Sequence, residues 1–275
     1  MENNPVEPND IYEIPTKLYK YQSIGCGSHT LENLRNGQIW FSKPDKLNDP
    51  FDCAIHFNIK GTTEEYLELY KILVNGLTEP RKLEKIKEVE STFLTNGNIN
   101  SAFKAHTNEV QLKANLKNIN DHNSQMGVAC FSETFDNILM WSHYANGHKG
   151  LCLEFDTNSL PFQDREKLHH VIYSDSFPTL KPAAVFQNTY IPIDSLITKS
   201  KDWVYEREWR LIKDKGDSAL EYDPRALTAI YFGCSMPDDQ IKQICSTPAK
   251  SAACLFKMRR SDIEFNLIQE KYHCM

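Results

Sequence analysis

The stretch WVYEREWRLI, residues 203–212, holds the densest group of side chains able to do chemistry. Read as a strand, it sets Glu206, Glu208 and Arg210 on one face, opposite Tyr205, Arg207 and Trp209. Read as a helix, it makes Glu206 and Arg210 an i,i+4 surface pair instead. The strand reading carries a chemistry. One carboxylate can hold a sugar hydroxyl and stabilise positive charge developing at the anomeric carbon, while the other positions the incoming nucleophile. Arg210 beside them can hold a phosphate or keep the carboxylates ionised. Structural ion pairing is the plainer use of the same residues.

A second constellation is NILMWSHYANGHKGLCLEF, residues 137–155. Asp136 is expected to cap a short helix starting near Asn137, with Met140 and Tyr144 one turn apart and Trp141 beside them. Gly147 can close that turn, and Gly150 can release the chain into a strand. On that strand Leu151, Leu153 and Phe155 share one face, and Cys152 and Glu154 the other. Such a corner either holds the polar edges of Trp141, His143 and Tyr144 over a cleft or packs them as a junction. Five positions apart, His143 and His148 are turned about 140° from each other on a continuous helix. Their spacing with Cys130, Cys152 or His169-His170 matches no zinc pattern, so no metal is expected.

The elements that must position these residues follow from pattern. KLYKY, QIWFS, MGVACFS, GLCLEF, HHVIYSD, EWRLIK, LTAIYFG, ACLFKM and IEFNLI have the texture of strands. HTLENLRNG reads as a helix with Leu31 and Leu34 on one face, closed by Gly37. KPDKLNDPF, with two prolines and Asn48-Asp49, is a shaped loop in which Ser42, Asn48 and Asp49 serve the backbone or a substrate. From 61 to 122 the texture is helical, with a capping box from Thr62 to Glu65 and Leu69, Leu73 and Leu77 at successive turns. A third helix is expected from Ser101 to about Ile119. PDDQIKQIC and part of KPAAVFQNTYIPIDSLITKS also read as helical. Strand-rich ends around a helical middle predict an α+β fold. The expected organisation is a flexible arm over 1–16 and one domain over 17–275, with 61–122 as a helical insert.

At 275 residues, with 40% hydrophobic and 25% charged residues, the composition is globular. A net charge of -6 gives no broad positive field for nucleic acid. Eight cysteines lack knuckle spacing, and five of them, Cys53, Cys130, Cys152, Cys234 and Cys254, sit in or beside apolar runs and read as reduced, buried small side chains in a reducing compartment. There is no apolar run of about 20 residues for a membrane span and no secretory signal pattern, so a cytoplasmic protein is expected. Motifs for a dinucleotide fold, P-loop, zinc protease and α/β-hydrolase are missing.

Taken together, YKY at 19–21, FSKPDKLNDPFD at 41–52, CFSETFDNILMWSHYANGHKG at 130–150 and WVYEREWRL at 203–211 resemble a bacterial domain family catalogued as a domain of unknown function. That resemblance spans about residues 17–233. More distantly the chain resembles the ADP-ribosyltransferase superfamily, which implies a split strand-rich core that binds NAD as substrate and cleaves its nicotinamide-ribose bond. It implies Glu208 as the late glutamate gripping the ribose 2′-hydroxyl, Glu206 orienting the acceptor, and Ser42 or Tyr144 lining the nicotinamide pocket. Tyr21 or Trp141 would stack nicotinamide, and Lys20 or Arg210 would hold pyrophosphate. Lys20 stands where the superfamily has His or Arg. The implied role is a NAD-consuming transferase or glycohydrolase with an unidentified macromolecular acceptor, compatible with bacterial defence. A non-enzymatic ligand-sensing or interaction domain and a metal-dependent nuclease using Asp49, Glu206 and Glu208 are the alternatives.

Overall fold

The computed structural model describes residues 13–25, 28–53, 58–59, 62, 64–65, 68, 78–81, 83–84, 87, 91, 94–95, 98–99, 113–164, 167–180, 193–246 and 253–274. The architecture is α+β, as the pattern predicts. In chain order the strands are β1 (Lys17–Gln22), β2 (Gln38–Phe41), β3 (Asn58–Ile59), β4 (Leu94–Thr95), β5 (Asn98–Ile99), β6 (Gly127–Ser132), β7 (Leu151–Asp156) and β8 (Leu168–His170). There follow β9 (Ile172–Ser174), β10 (Thr179–Leu180), β11 (Thr198–Ser200), β12 (Glu208–Lys213), β13 (Ser218–Glu221), β14 (Leu227–Phe232), β15 (Cys254–Arg260) and β16 (Leu267–Lys271). The helices are α1 (Thr30–Asn36), α2 (Lys113–Asn123), α3 (Ile138–Tyr144), α4 (Asp194–Ile197) and α5 (Asp238–Cys245). Among the described residues no helix is long and apolar enough to cross a membrane.

The described residues fall into two compact units, the first drawn from 1–43, 127–173 and 201–275, the second from 44–126 and 174–200. The first is built on one eight-stranded sheet in the order β16-β15-β14-β7-β1-β6-β12-β8. All its pairings are antiparallel except β14 with β15. A parallel pair needs a crossover, and α5 supplies it by burying Ile241, Ile244 and Cys245. Alternation sorts the side chains into two layers. Leu18, Phe131, Leu153, Phe155, Trp209, Leu211 and Ile230 pack on one face. Tyr19, Tyr21, Cys152, Ala229, Tyr231 and Met258 pack on the other, covered by Met140, Trp141 and Ala145 from α3 and its end.

Gly37 closes α1 in the left-handed conformation, φ 64°, and frees the chain for β2. β13, which the sequence pattern does not announce, pairs with β2. Cys245 and Cys274, outside the five cysteines expected as reduced side chains, form a disulfide; those five, Cys53, Cys130, Cys152, Cys234 and Cys254, are free, with Cys254 exposed and not buried. Residues 1–12 of the expected arm lie outside the described residues. The next ones are anchored, because Thr157 bonds the carbonyls of Pro15 (2.6 Å) and Thr16 (3.1 Å).

In the second unit the Thr62–Glu65 capping box forms, Thr62 N donating to Glu65 (3.0 Å) and Glu65 N to Thr62 Oγ1 (3.3 Å). Leu69, Leu73, Leu77 and most of the region expected to be helical lie outside the described residues. Within this unit the buried Asp52 and Lys199 pair at 3.5 Å, and Asn123 donates to Ser195 at 2.9 Å.

Candidate functional site

The strand reading of residues 203–212 is half right. Lys201–Glu206 is a 3-10 helix, and β12 starts only at Glu208. Between them Arg207 adopts φ 46°, a left-handed conformation unfavourable for a side chain with a Cβ. It is held there by Arg207 N donating to Val204 O (3.2 Å), Glu133 N donating to Arg207 O (3.1 Å), and an Arg207–Glu133 ion pair at 2.6 Å. Glu206 and Glu208 therefore flank a strained turn instead of alternating along one strand. Strain of this kind is kept only where the surroundings over-determine it, and it gathers at functional sites.

Glu206 is buried, at 2% exposure, and its Oε1 accepts a short hydrogen bond from the Tyr144 hydroxyl. Its backbone carbonyl accepts from Ser132 Oγ at 2.6 Å. What brings Tyr144 there is the start of α3. Asn137, not Asp136, is the N-cap: its Oδ1 accepts from Leu139 N (2.9 Å) and Met140 N (3.2 Å). Its Nδ2 meanwhile donates to Tyr205 O (3.1 Å), tying the helix start to the 3-10 segment. An amide side chain can do both where a carboxylate cannot. The far end of the helix is fixed by backbone packed on backbone, since a Cβ on Gly150 would lie 2.2 Å from Gln22 O, and one on Gly233 2.1 Å from His148 O.

Beside the Tyr144–Glu206 pair stands a group of rings. His143 lies 6.1 Å from Trp203 and from Tyr144 and 6.4 Å from Tyr205, and Trp203 lies 6.0 Å from Tyr205, centroid to centroid. His143 is exposed and the other three are half-buried. This surface can stack a planar ring next to a carboxylate.

Glu208 and Arg210 share the sheet face opposite Trp209 and are bound to each other: Nε to Oε1 at 2.8 Å and an Nη2 to Oε2 bond at 3.0 Å. Arg210 is fully buried and Glu208 is 2% exposed. Glu208 N donates to the Tyr173 hydroxyl at 2.9 Å, and Val171 N donates to Glu208 O at 3.0 Å. Glu208 is the register partner of Ser132 on β6, and Ser132 Oγ donates to the Glu206 backbone carbonyl, so one serine neighbours the backbone of both glutamates.

The remaining expected residues do not join this group. Lys20 points to the other face of the sheet, where its Nζ donates to Cys130 O (3.0 Å) and lies 4.9 Å from the Phe131 centroid. Burial lowers its pKa, against the opposing pull of Cys130 and Glu208. Tyr21 is a core residue donating to Thr134 O (2.9 Å). Trp141 is fully buried, donating to Phe135 O (2.7 Å) and set edge-on to Tyr21. Both are walls of the core, which corrects their expected role of stacking nicotinamide. Ser42 exchanges backbone bonds with Val128 (3.0 and 2.8 Å) and extends β2 toward β6. Asp49, in the second unit, accepts from Phe51 N (2.9 Å), which is the local turn role.

A buried carboxylate that motif reasoning passed over is Glu154, which accepts from Lys17 (2.6 Å), Thr228 (2.7 Å) and Tyr231 (2.7 Å). A register shift in β14 between Leu227 and Ala229 accompanies the aim of Thr228 toward it. Burial pushes its pKa up, but the bonds from Lys17, Tyr231 and Thr228 outweigh that and hold it below the ordinary range. An acid inside the apolar alternation of LCLEF was its signal. Among the described residues no group of three or more His, Cys, Asp or Glu could hold a metal ion.

Residues 140–211 match the family model described as a protein of unknown function (DUF2971). The DUF2971 match takes in Tyr144, Glu206, Glu208 and Arg210 together. No curated protein and no solved structure matches the chain.

Proposed function

We propose that the chain binds NAD or a related nucleotide and cleaves its N-glycosidic bond, with Tyr144 and Glu206 as the acting pair. The observation that carries this reading is the buried Glu206 carboxylate held by the Tyr144 hydroxyl beside the rings of His143, Trp203 and Tyr205. In this reading the rings stack the nicotinamide. Glu206 holds a ribose hydroxyl and stabilises positive charge as the bond from the anomeric carbon to the nicotinamide nitrogen breaks. The bonding pair leaves with that nitrogen and neutralises it. Water or an acceptor nucleophile then adds to the anomeric carbon and gives up its proton to solvent water. Glu208, with both oxygens bonded by Arg210, is a positioning residue that fixes the start of β12 and so the turn that presents Glu206.

The test follows nicotinamide release from NAD by proton NMR, in buffer and with lysate supplying acceptors. Release that falls by about 10²-fold or more in Glu206→Gln and Tyr144→Phe supports the reading. Absence of release in both conditions, together with unchanged tryptophan fluorescence on adding NAD, overturns it. A second reading, a nucleotide-sensing or interaction domain without chemistry, is favoured by the mutual pairing of Glu208 with Arg210 and of Glu206 with Tyr144. It predicts NAD binding without nicotinamide release.

A further inference from the structure

We propose that the protein self-associates by seating the tip of its β15–β16 hairpin in a groove of a second copy. The tip, residues 261–266, is internally braced. Ser261 N donates to Asn266 O (3.1 Å), Asn266 N donates to Glu264 O (2.9 Å), and Ser261 Oγ accepts from Ile263 N and Glu264 N (3.2 Å each). This bracing holds two large apolar side chains out in solvent: Ile263 is 93% exposed and Phe265 is 102% exposed. Beside the tip runs a groove of about 700 Å³, one wall of which is Ile138 and Leu139 of α3 and the other Arg260 and the tip's own Ile263, Glu264 and Phe265. Ile138 and Leu139 are themselves 41% and 44% exposed. A braced apolar tip next to an apolar groove is the composition of an interaction site.

Charge identifies the occupant. Among the described residues Arg260 in the groove has no carboxylate partner, and Glu264 on the tip has no cationic one. A two-fold axis brings Glu264 of each copy to Arg260 of the other while Ile263 and Phe265 cover Ile138 and Leu139. Because tip and groove adjoin, the contact is isologous and closes at a dimer. Asp262 and Glu264 flank the apolar residues, which opposes an anionic membrane as the occupant. Strand-to-strand pairing along β16 is opposed as well, since Arg259 bridges Glu270 (2.8 Å) and Asp262 (3.0 Å) and keeps that edge charged.

Sedimentation velocity of the full chain, up to about 0.1 mM, tests the proposal. The expected wild type is a dimer of the 31.8 kDa chain. Phe265→Asp raises the dissociation constant by about 100-fold, as expected for an anchoring aromatic. Arg260→Glu weakens the dimer, and the double variant Arg260→Glu/Glu264→Arg restores it. These side chains are solvent-facing, and unchanged far-UV circular dichroism certifies the fold of each variant. A wild type that stays monomeric throughout overturns the proposal, whether or not it binds anionic phosphatidylglycerol vesicles. So does a dimer that is indifferent to Phe265→Asp and to the charge exchange.

Discussion

Replacing Arg210 by Leu removes the guanidinium that bonds both oxygens of Glu208 in a place where Arg210 is fully buried and Glu208 is 2% exposed. Breaking one side of a buried ion pair leaves the other charge with its desolvation uncompensated, a loss of about 3–5 kcal/mol. In a chain of this size each kcal/mol lowers the melting temperature by about 2–4 °C, so Arg210→Leu should melt roughly 10 °C below wild type. Glu208→Leu/Arg210→Leu removes both charges and should recover most of that loss, because the pair's attraction and its desolvation nearly offset each other. Urea unfolding followed by tryptophan fluorescence is a suitable assay, since Trp209 lies in the core between the two residues. The cycle of single and double variants then gives the coupling directly. A loss under about 1 kcal/mol for Arg210→Leu, or a double variant as damaged as the sum of its singles, would refute the reasoning. If the double variant folds well but loses nicotinamide release, the pair's role is to position Glu206 more than to hold the sheet.

Two further expectations follow from packing and from titration. Gly150→Ala and Gly233→Ala place a methyl against backbone oxygens 2.2 and 2.1 Å away, so each should lower stability by at least about 1–3 kcal/mol in denaturant titration; a neutral result would mean the 145–150 loop is not clamped. His148 and His170 are held below their ordinary pKa of 6.5, in both cases by burial, with Glu133 opposing the shift at His170. Below 6.5 the unfolded chain then binds protons that the folded chain refuses, so stability should fall as pH drops from 6.5 through the lowered folded values. Melting temperatures across that range should slope downward toward acid, and His148→Gln should flatten the slope.

The sheet was legible because its central strands are short runs buried at nearly every position: β6, β7, β12 and β14 are covered on both faces, and such short, largely apolar runs read as strands. The site was legible only in its members. Tyr144, His143, Glu206, Glu208 and Arg210 belong together, but their arrangement depends on one backbone torsion at Arg207, and nothing in the residue type of an arginine announces φ 46°. Strand pattern alone could not reveal that Lys20 lies across the sheet from Glu208, since that requires the registers of β1, β6 and β12 together. The preference for Asn137 over Asp136 as the cap also needed tertiary information, because its deciding partner is the Tyr205 carbonyl, 68 residues away. Spacing could not foresee the Cys245–Cys274 bond, which joins α5 to a segment beyond β16.

α3 has seven residues, too few to be stable in isolation, so its position is dictated by what it touches. Met140 and Trp141 pack on the sheet, Tyr144 reaches Glu206, and Ile138, Leu139 and Ser142 line the hairpin groove. One seven-residue backbone carries all of these contacts, so a displacement of the helix reaches each of them. An occupant of the groove is therefore expected to act on the Tyr144–Glu206 pair through the helix, and linkage would make that effect mutual. Ligand at the ring surface of His143, Trp203 and Tyr205 should change the dimer dissociation constant by the same factor as dimerisation changes ligand affinity. Measuring both for wild type and Phe265→Asp would show whether groove and site are joined by α3; equal ligand affinity in monomer and dimer would show that they are not.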